Sequence, residues 1–287
     1  MKVALLEQPG DETAFKIKIK DIPIPTPGKD QVVIRLEYSG INYIDTTMRA
    51  GKLPGTSFPI VLGCEGAGAV HKVGEGVTDL AVGDPVVVYA FGTYGEYLLT
   101  DSWRVFKLDK TSTKIAAATL INACTAQFLV HEVFQIKEGG IVIGTVSSQD
   151  KIQVAQAFVA ELTNGQGAEA VFDAVGGPLL DVNLSLIKPG GVLVNYGSLG
   201  GPLDVDEAKV TAQQVGKDFK RVGLGVTITN RELMLPIYKP VKDYMDSGKA
   251  VVNIYREYSL EEIGQAHLDL VSRGTTGKLL VRLAGTG

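Results

Sequence analysis

A chain of 287 residues, 45% hydrophobic and 21% charged, is long enough to bury two cores. Its formal net charge of −4 leaves no electrostatic footprint for nucleic acid, so no dedicated nucleic-acid site is expected. Two cysteines, Cys64 and Cys124, exclude a disulfide framework; no leader with a basic start and an apolar core precedes Val3, which makes the cytoplasm the expected compartment.

From Met1 to about Lys110, six short runs read as strands: Val3 to Leu6, Lys16 to Lys20, Gln31 to Tyr38, Gly66 to Val73, Asp84 to Ala90 and Tyr94 to Leu99. Pro23, Pro25, Pro27 and Gly28 interrupt the chain before the third, and Gly74, Gly76 and Gly83 punctuate the later ones. Many short strands with glycine turns predict a small barrel over residues 1–115. Between Thr111 and Phe134 the apolar period becomes helical, which marks the joint to a second domain over 116–254. The longest uncharged run, Ile115 to Val130, is broken by Thr119, Asn122, Thr125 and Gln127, and reads as a buried helix rather than a membrane span.

Beyond the joint, Ile141 to Val146 is a β-branched run after Gly139-Gly140. Asp150 to Leu162 carries Ile152, Ala155, Val159 and Leu162 near helical spacing, and Ala168 to Val175 is a second apolar run. Strand, helix, strand is a βαβ unit, which predicts an α/β domain with a parallel sheet. A dinucleotide site on such a unit uses a GxGxxG turn, and the chain has none. Ser147, Ser148 and Lys151 stand there instead, and two hydroxyls and a lysine at a strand end suit a ribose 2′-phosphate. In a Rossmann-type sheet that job belongs to the second strand, so the first strand, its turn and its helix are read as absent and the domain as shortened. The alternative is a helix N-cap with a solvated lysine, since both use the same exposed N–H groups.

Val192 to Tyr196 is another buried strand, ending in Gly197, Ser198, Gly200 and Gly201. Ligands of open α/β sheets sit at that carboxyl edge. Thr229 and Glu232 predict a capping box for a helix with Leu233, Ile237, Val241, Tyr244 and Met245 inward, kinked at Pro236 and Pro240 and ended by Gly248. Ser259 and Glu262 cap another, with Ile263, Ala266, Leu270 and Val271 inward, and Lys278 to Leu283 is a last strand in a C-terminal segment over 255–287. His71, His131 and His267 are too scattered for a metal set or a triad, and read as structural or surface residues.

Several stretches together resemble the zinc-free medium-chain dehydrogenase/reductases, specifically the quinone oxidoreductases related to zeta-crystallin. They are PTPGKDQVVIRLEYSGINYIDTTMRAG, FPIVLGCEGAGAVHKVGEGVTDLAVGDPVVV, GTYGEYLL, LINACTAQFLVHEVFQIKEGG, DAVGG, VNYGS and AHLDLVSRGTTGKLLV. The resemblance covers most of Met1 to Leu283. It implies a GroES-like β-barrel catalytic domain joined to a Rossmann domain, a C-terminal segment returning to the barrel, NADPH as cofactor, hydride transfer to a small-molecule quinone without metal, and a homodimer or homotetramer. Asn42, Tyr43 and Asp45 match the stretch facing the nicotinamide ribose and the substrate; the plain alternative for Asn42 is a side chain that closes a loop. Thr125 matches a residue reaching the nicotinamide from the linking helix, or bonds its own helix backbone. Gly176, Gly197 and Ser198 match strand-end loops beside the cofactor, and Gly277 and Lys278 match a tail that approaches it. Gly176 with Gly177 also suits a simple strand terminator.

The positions that ligate zinc in metal-dependent relatives read Asn42, Cys64 and Ile121. Zinc needs three or four nitrogen, sulfur or carboxylate ligands, so no metal is expected and Cys64 reads as a packed thiol. Leu53 stands where the family often has tyrosine. Between Gly140 and Ile141 the family carries its first Rossmann strand, glycine turn and helix; further shortfalls lie near Gln156 to Phe158 and Phe219 to Val226. The second functional reading is therefore a catalytically silent member, kept as a binding or structural protein after loss of the pyrophosphate turn.

Overall fold

The computed structural model describes residues 1–10, 17–137, 149–201, 203–272 and 274–283, with backbone alone at 149–155, 226 and 227. Along the chain run β1 (Lys2–Leu6), β2 (Ile17–Asp21), β3 (Gln31–Gly40), α1 (Tyr43–Arg49), β4 (Ile60–Val61), β5 (Glu65–Val73), β6 (Pro85–Tyr89), β7 (Tyr97–Asp101) and β8 (Val105–Lys107). There follow α2 (Thr113–Gln127), which continues as a π-helical turn over Phe128–Val133, then α3 (Gln149–Leu162), β9 (Ala168–Asp173), α4 (Leu180–Ser185), β10 (Ile187–Asn195), α5 (Val205–Gln214) and β11 (Asp218–Arg221). The last elements are α6 (Leu224–Thr227), α7 (Arg231–Asp246), β12 (Ile254–Tyr258), α8 (Ile263–Val271) and β13 (Lys278–Arg282). Contacts divide the chain into two compact units, Met1–Cys124 with Asn230–Gly287, and Thr125–Thr229.

The first unit is built on β3, whose apolar run buries Val32, Val33, Ile34 and Leu36. One edge of β3 pairs antiparallel with β5 along almost its whole length. The other edge is shared: Gln31 to Arg35 pair with β7, and Tyr38 to Gly40 pair with β13. β12 adds to β13 in parallel, and β6 and β8 extend the sheet beyond β5. Val32, Ile34, Leu36, Val86, Val88, Leu98 and Val281 meet in its core, each worth about 1.5–3 kcal/mol of hydrophobic stabilisation before entropy is charged.

The second unit carries a wholly parallel sheet in the order β11-β10-β9, with α4 and α5 as crossovers. Its register sets Asn195 of β10 between Asp173 of β9 and Arg221 of β11, so three polar residues line up at the carboxyl edge. Leu184, Leu193, Ala208, Ala212 and Phe219 form the core beneath it. The expected strand Ile141 to Val146 lies outside the described residues, whereas the helix after it is α3.

The α/β architecture matches the expectation, and three particulars do not. The second unit ends at Thr229 instead of near residue 254, because α7 packs into the first unit: Tyr238 stacks on Phe106, Arg231 donates to the Val105 carbonyl, and Asp246 accepts from the Thr111 hydroxyl and N–H. The α7 cap is Asn230, whose side chain accepts from the Leu233 N–H, not Thr229. Met234 and Tyr238 are buried while Leu233 and Tyr244 face outward, and Ile237, Val241 and Met245 point inward as expected. Ser259 and Glu262 form the capping box expected of them. Among the described residues, Thr113–Val133 is the helix long and apolar enough to cross a membrane, and Ala116, Ala117, Leu120, Cys124, Phe128 and Leu129 on it are buried within the protein.

Candidate functional site

Three strand ends converge in the first unit: the end of β3, the start of β5 and the start of β13. β3 runs out at Gly40, and Asn42 caps α1 in a reciprocal box, with the Asp45 carboxylate accepting the Asn42 N–H at 2.8 Å. A Cβ at position 40 would collide with Glu65 Oε1 and the Ala117 carbonyl, so glycine there lets α2 approach the sheet end. Glu65, the first residue of β5, is fully buried. Its Oε1 accepts from Lys278 Nζ at 2.6 Å and from Asn42 Nδ2 at 2.8 Å, and its Oε2 accepts from the Ile121 N–H of α2 at 2.8 Å. Lys278 Nζ also donates to Asn42 Oδ1 at 2.7 Å. One carboxylate thus ties together the tail strand, the α1 cap and the α2 backbone.

A second polar chain runs inward from the cap. Tyr94 Oη donates to Asp45 Oδ2 at 2.7 Å and lies 3.5 Å from His267 Nε2. Burial pushes the Asp45 carboxyl up to about 6 despite the Tyr94 and Asn42 bonds that pull it down. Burial likewise holds His267 down at about 3, helped by the nearby Arg49 charge, so this imidazole is neutral. With the Tyr94 proton given to Asp45, only an Nε2–H can bridge to Tyr94, which leaves Nδ1 as a buried acceptor without a hydrogen-bond partner among the described residues.

The second cluster lies at the carboxyl edge of the parallel sheet. Asp173 accepts from the Val175 and Gly176 N–H groups at 2.8 and 3.0 Å and from Asn195 Nδ2 at 2.7 Å. Arg221 donates to Asn195 Oδ1 and, at 3.0 Å, to the Gly197 carbonyl. A Cβ on Gly197 would strike the Ala174 carbonyl, so this loop lies flat against the β9 end and offers backbone in place of side chains.

The structure therefore brings Asn42, Asp45 and Lys278 together, and separately Gly176, Gly197 and Ser198. Asp45 is corrected from a substrate-facing group to a positioning one, because it is fully buried and its Oδ2 accepts from both the Asn42 N–H of the α1 cap and Tyr94 Oη. Tyr43 is half-buried, and its hydroxyl donates to the Leu270 carbonyl at 2.9 Å, which fastens α1 to α8. Thr125 is half-buried on α2. Gly277 has φ +118°, and a Cβ there would lie 2.6 Å from the Asn253 carbonyl, so this turn aims Lys278. Ser147 and Ser148 lie outside the described residues, as does the Lys151 side chain. Sequence reasoning missed Glu65, Asp173, Asn195 and Arg221. The polar residues opening β5 and closing β9, β10 and β11 were the available signal, since strands buried on both sides seldom carry them without a partner.

Zinc does not fit the position where the fold family would hold it. The Asn42 amide is engaged by Glu65 and Lys278, Ile121 offers only hydrocarbon, and the Cys64 thiol is pushed well up by burial and by the Asp45 and Glu65 charges. Among the described residues no group of three or more His, Cys, Asp or Glu is placed to hold a metal ion.

Residues 28–110 match the alcohol dehydrogenase GroES-like domain, and residues 148–281 match the zinc-binding dehydrogenase family. The chain is 31% identical over 314 residues to a probable quinone oxidoreductase of Schizosaccharomyces pombe, covering 95% of this chain and 94% of the relative. It is 28% identical over 309 residues to a Pseudomonas aeruginosa quinone oxidoreductase, covering 92% and 95%. Both alignments run longer than the 287 residues present, so each relative carries residues opposite gaps in this chain. The structure of a Pseudomonas syringae quinone oxidoreductase superposes with a TM-score of 0.89 at 28% identity, over 98% of this chain and 99% of that one. A mycobacterial protein solved complexed with NADPH gives 0.87 at 26%, over 98% and 100%. The chain is an oxidoreductase and belongs to the quinone oxidoreductase family of the medium-chain dehydrogenase/reductases.

Proposed function

We propose that the protein is an NADPH-dependent quinone reductase working without a metal. The observation that carries this reading is the Asn42–Glu65–Lys278 cluster, an ammonium and an amide fixed at the barrel end where metal-dependent relatives keep an ion. Bound NADPH supplies a hydride, two electrons and one proton. The quinone becomes a hydroquinone monoanion, which takes its second proton from solvent, so no protein acid is required.

The chain's own residues bind, orient and exclude water. Lys278 presents a donor to the ligands, Asn42 beside it fixes its direction, and Asp45 and Tyr43 hold α1 in place. The bare backbone at Gly176 and Gly197, with Ser198 beside it, fits the flat nicotinamide half at a sheet's carboxyl edge. Thr125 and Gly277 border the nicotinamide, while Ser147, Ser148 and Lys151 take the 2′-phosphate. The same reading makes the protein a cytoplasmic homodimer or homotetramer. The test is the loss of NADPH absorbance with a benzoquinone or naphthoquinone acceptor: dependence on both reactants is expected, and transfer from NADH at equal efficiency opposes the cofactor assignment.

One observation favours a second reading. The curated relatives align over more residues than this chain has, and the resemblance puts the largest loss at the glycine turn that should cradle the pyrophosphate. Cofactor binding is then weak, and a silent binding or structural role replaces turnover. Titration of the protein with NADPH separates the two.

A further inference from the structure

We propose that Glu65 is a positioning residue that acts through Lys278, its carboxylate holding the ammonium so that one N–H stays free for an anionic oxygen on the ligand. The proposal rests on the reductase reading above. An ammonium has three donors. Two are spent, on Glu65 Oε1 and Asn42 Oδ1. Asn42 Oδ1 accepts from Lys278, and the Asn42 Nδ2 protons go to Glu65 Oε1 and, at 3.4 Å, to the Gly40 carbonyl, so among the described residues the third Lys278 proton is the donor left over in this cluster. Glu65 cannot meet a ligand itself, being completely buried, whereas Lys278 and Asn42 keep 9% and 8% exposure.

A buried ion pair is a poor source of stability, because the desolvation cost rivals the attraction. What this pair supplies is direction: the Ile121 N–H holds the carboxylate at Oε2, and the Ser39 hydroxyl holds the Glu65 backbone carbonyl, each at 2.8 Å, so side chain and backbone are fixed from two further elements. The anionic oxygen belongs either to a dinucleotide phosphate or to the quinone oxygen that turns negative as hydride arrives.

The first arm of the test needs no turnover. In the full chain labelled with [15N]lysine, a ζ-ammonium cross-peak that disappears in Lys278→Gln should be visible in the wild type, where held protons exchange slowly, and should vanish in Glu65→Gln. Its absence from the wild type, or its persistence in Glu65→Gln, overturns the proposal. Failure of the reductase reading is a separate result, namely no NADPH-dependent quinone reduction by the wild type.

The second arm is a double-mutant cycle on the Kd of NADP+ and on kcat with the quinone. Each single variant should weaken one of these about tenfold, the scale of a charge-assisted bond, and the double variant should be no worse than Lys278→Gln. An effect on Kd assigns the oxygen to the cofactor, and an effect on kcat assigns it to the quinone. Additive losses, about a hundredfold in the double variant, overturn the proposal. If Glu65→Gln does not fold, the double variant, neutral on both sides, is compared with Lys278→Gln alone: equality supports the proposal and a further drop refutes it.

Discussion

Replacing His267 with leucine should change how stability responds to acid far more than it changes stability at neutral pH. His267 is fully buried, neutral, and held down at about 3 by desolvation and by Arg49. In the unfolded chain it regains an ordinary value near ~6.5. Its folded value is depressed, so the neutral imidazole imposes no penalty above ~6.5, and below that the unfolded state binds a proton that the folded state refuses. Each pH unit between ~6.5 and 3 then removes about 1.4 kcal/mol from the wild type, close to 3 kcal/mol by pH ~4.5. Asp45 works in the opposite sense. Its value is raised to about 6, so its stabilising contribution is full below ~4 and is lost as pH rises through 6. Because Asp45 titrates in both proteins, subtracting variant from wild type isolates the histidine. Leucine gives up one long bond to Tyr94 and also removes the unpartnered Nδ1, so the two proteins should lie within about 1 kcal/mol of each other at pH ~7. Urea unfolding at half-unit pH steps measures the difference, which should grow in favour of His267→Leu as pH falls. A difference that stays flat down to pH ~4.5 would mean that His267 charges inside the fold, and the burial argument would be wrong.

Four further outcomes are expected. Gly40→Ala should cost about 2–4 kcal/mol in urea unfolding, since its Cβ meets Glu65 and the α2 backbone, neither of which has room to yield; a cost under ~0.5 would show that the approach is loose. Arg221→Ala should cost only about 1 kcal/mol yet speed hydrogen exchange at Leu199 and Gly200, whose amides bond the Ala174 and Val175 carbonyls beside the freed loop; unchanged exchange would detach Arg221 from that loop. Elemental analysis after chelator-free purification should find less than stoichiometric zinc, and one zinc per chain would refute the ligand argument. Calorimetry with NADPH separates the two readings: the silent one requires a Kd weaker than ~100 μM, because several lost pyrophosphate bonds at ~1–2 kcal/mol each remove two or more decades of affinity, whereas micromolar binding supports the reductase and means that another backbone segment replaces the turn.

The barrel strands were legible because Val, Ile and Leu runs between glycines and prolines mark them locally, and β1, β3, β5 and β6 fall within a residue or two of their expected bounds. β4, β8 and β11 went unread: two to four residues form no period, and they exist only because a neighbour such as β1, β6 or β10 supplies hydrogen bonds. The site shows the same division. Asn42 and Lys278 stand out within motifs, whereas Glu65 reads as one more charged residue at a strand start. Its role depends on Lys278, 213 residues further along, and no local pattern encodes that pairing. Thr229 failed as a cap for a smaller reason, since Asn230 beside it is an equally good acceptor and the packing of Tyr238 on Phe106 chose between them.

The split partnership of β3 constrains how the protein is made. Its first half finds β7 within the leading part of the chain, but Tyr38, Ser39 and Gly40 wait for Arg282, Val281 and Leu280. During synthesis the second unit is complete in the emerging chain while that half-edge of the barrel sheet is still bare, offering N–H and C=O groups to any passing strand. The ribosome must release β13 before the sheet can close and before Lys278 can reach Glu65. A chain stalled or cut short ahead of β13 would therefore lack Lys278 and carry an open strand edge, which makes it a substrate for chaperones and proteases rather than a partly active enzyme.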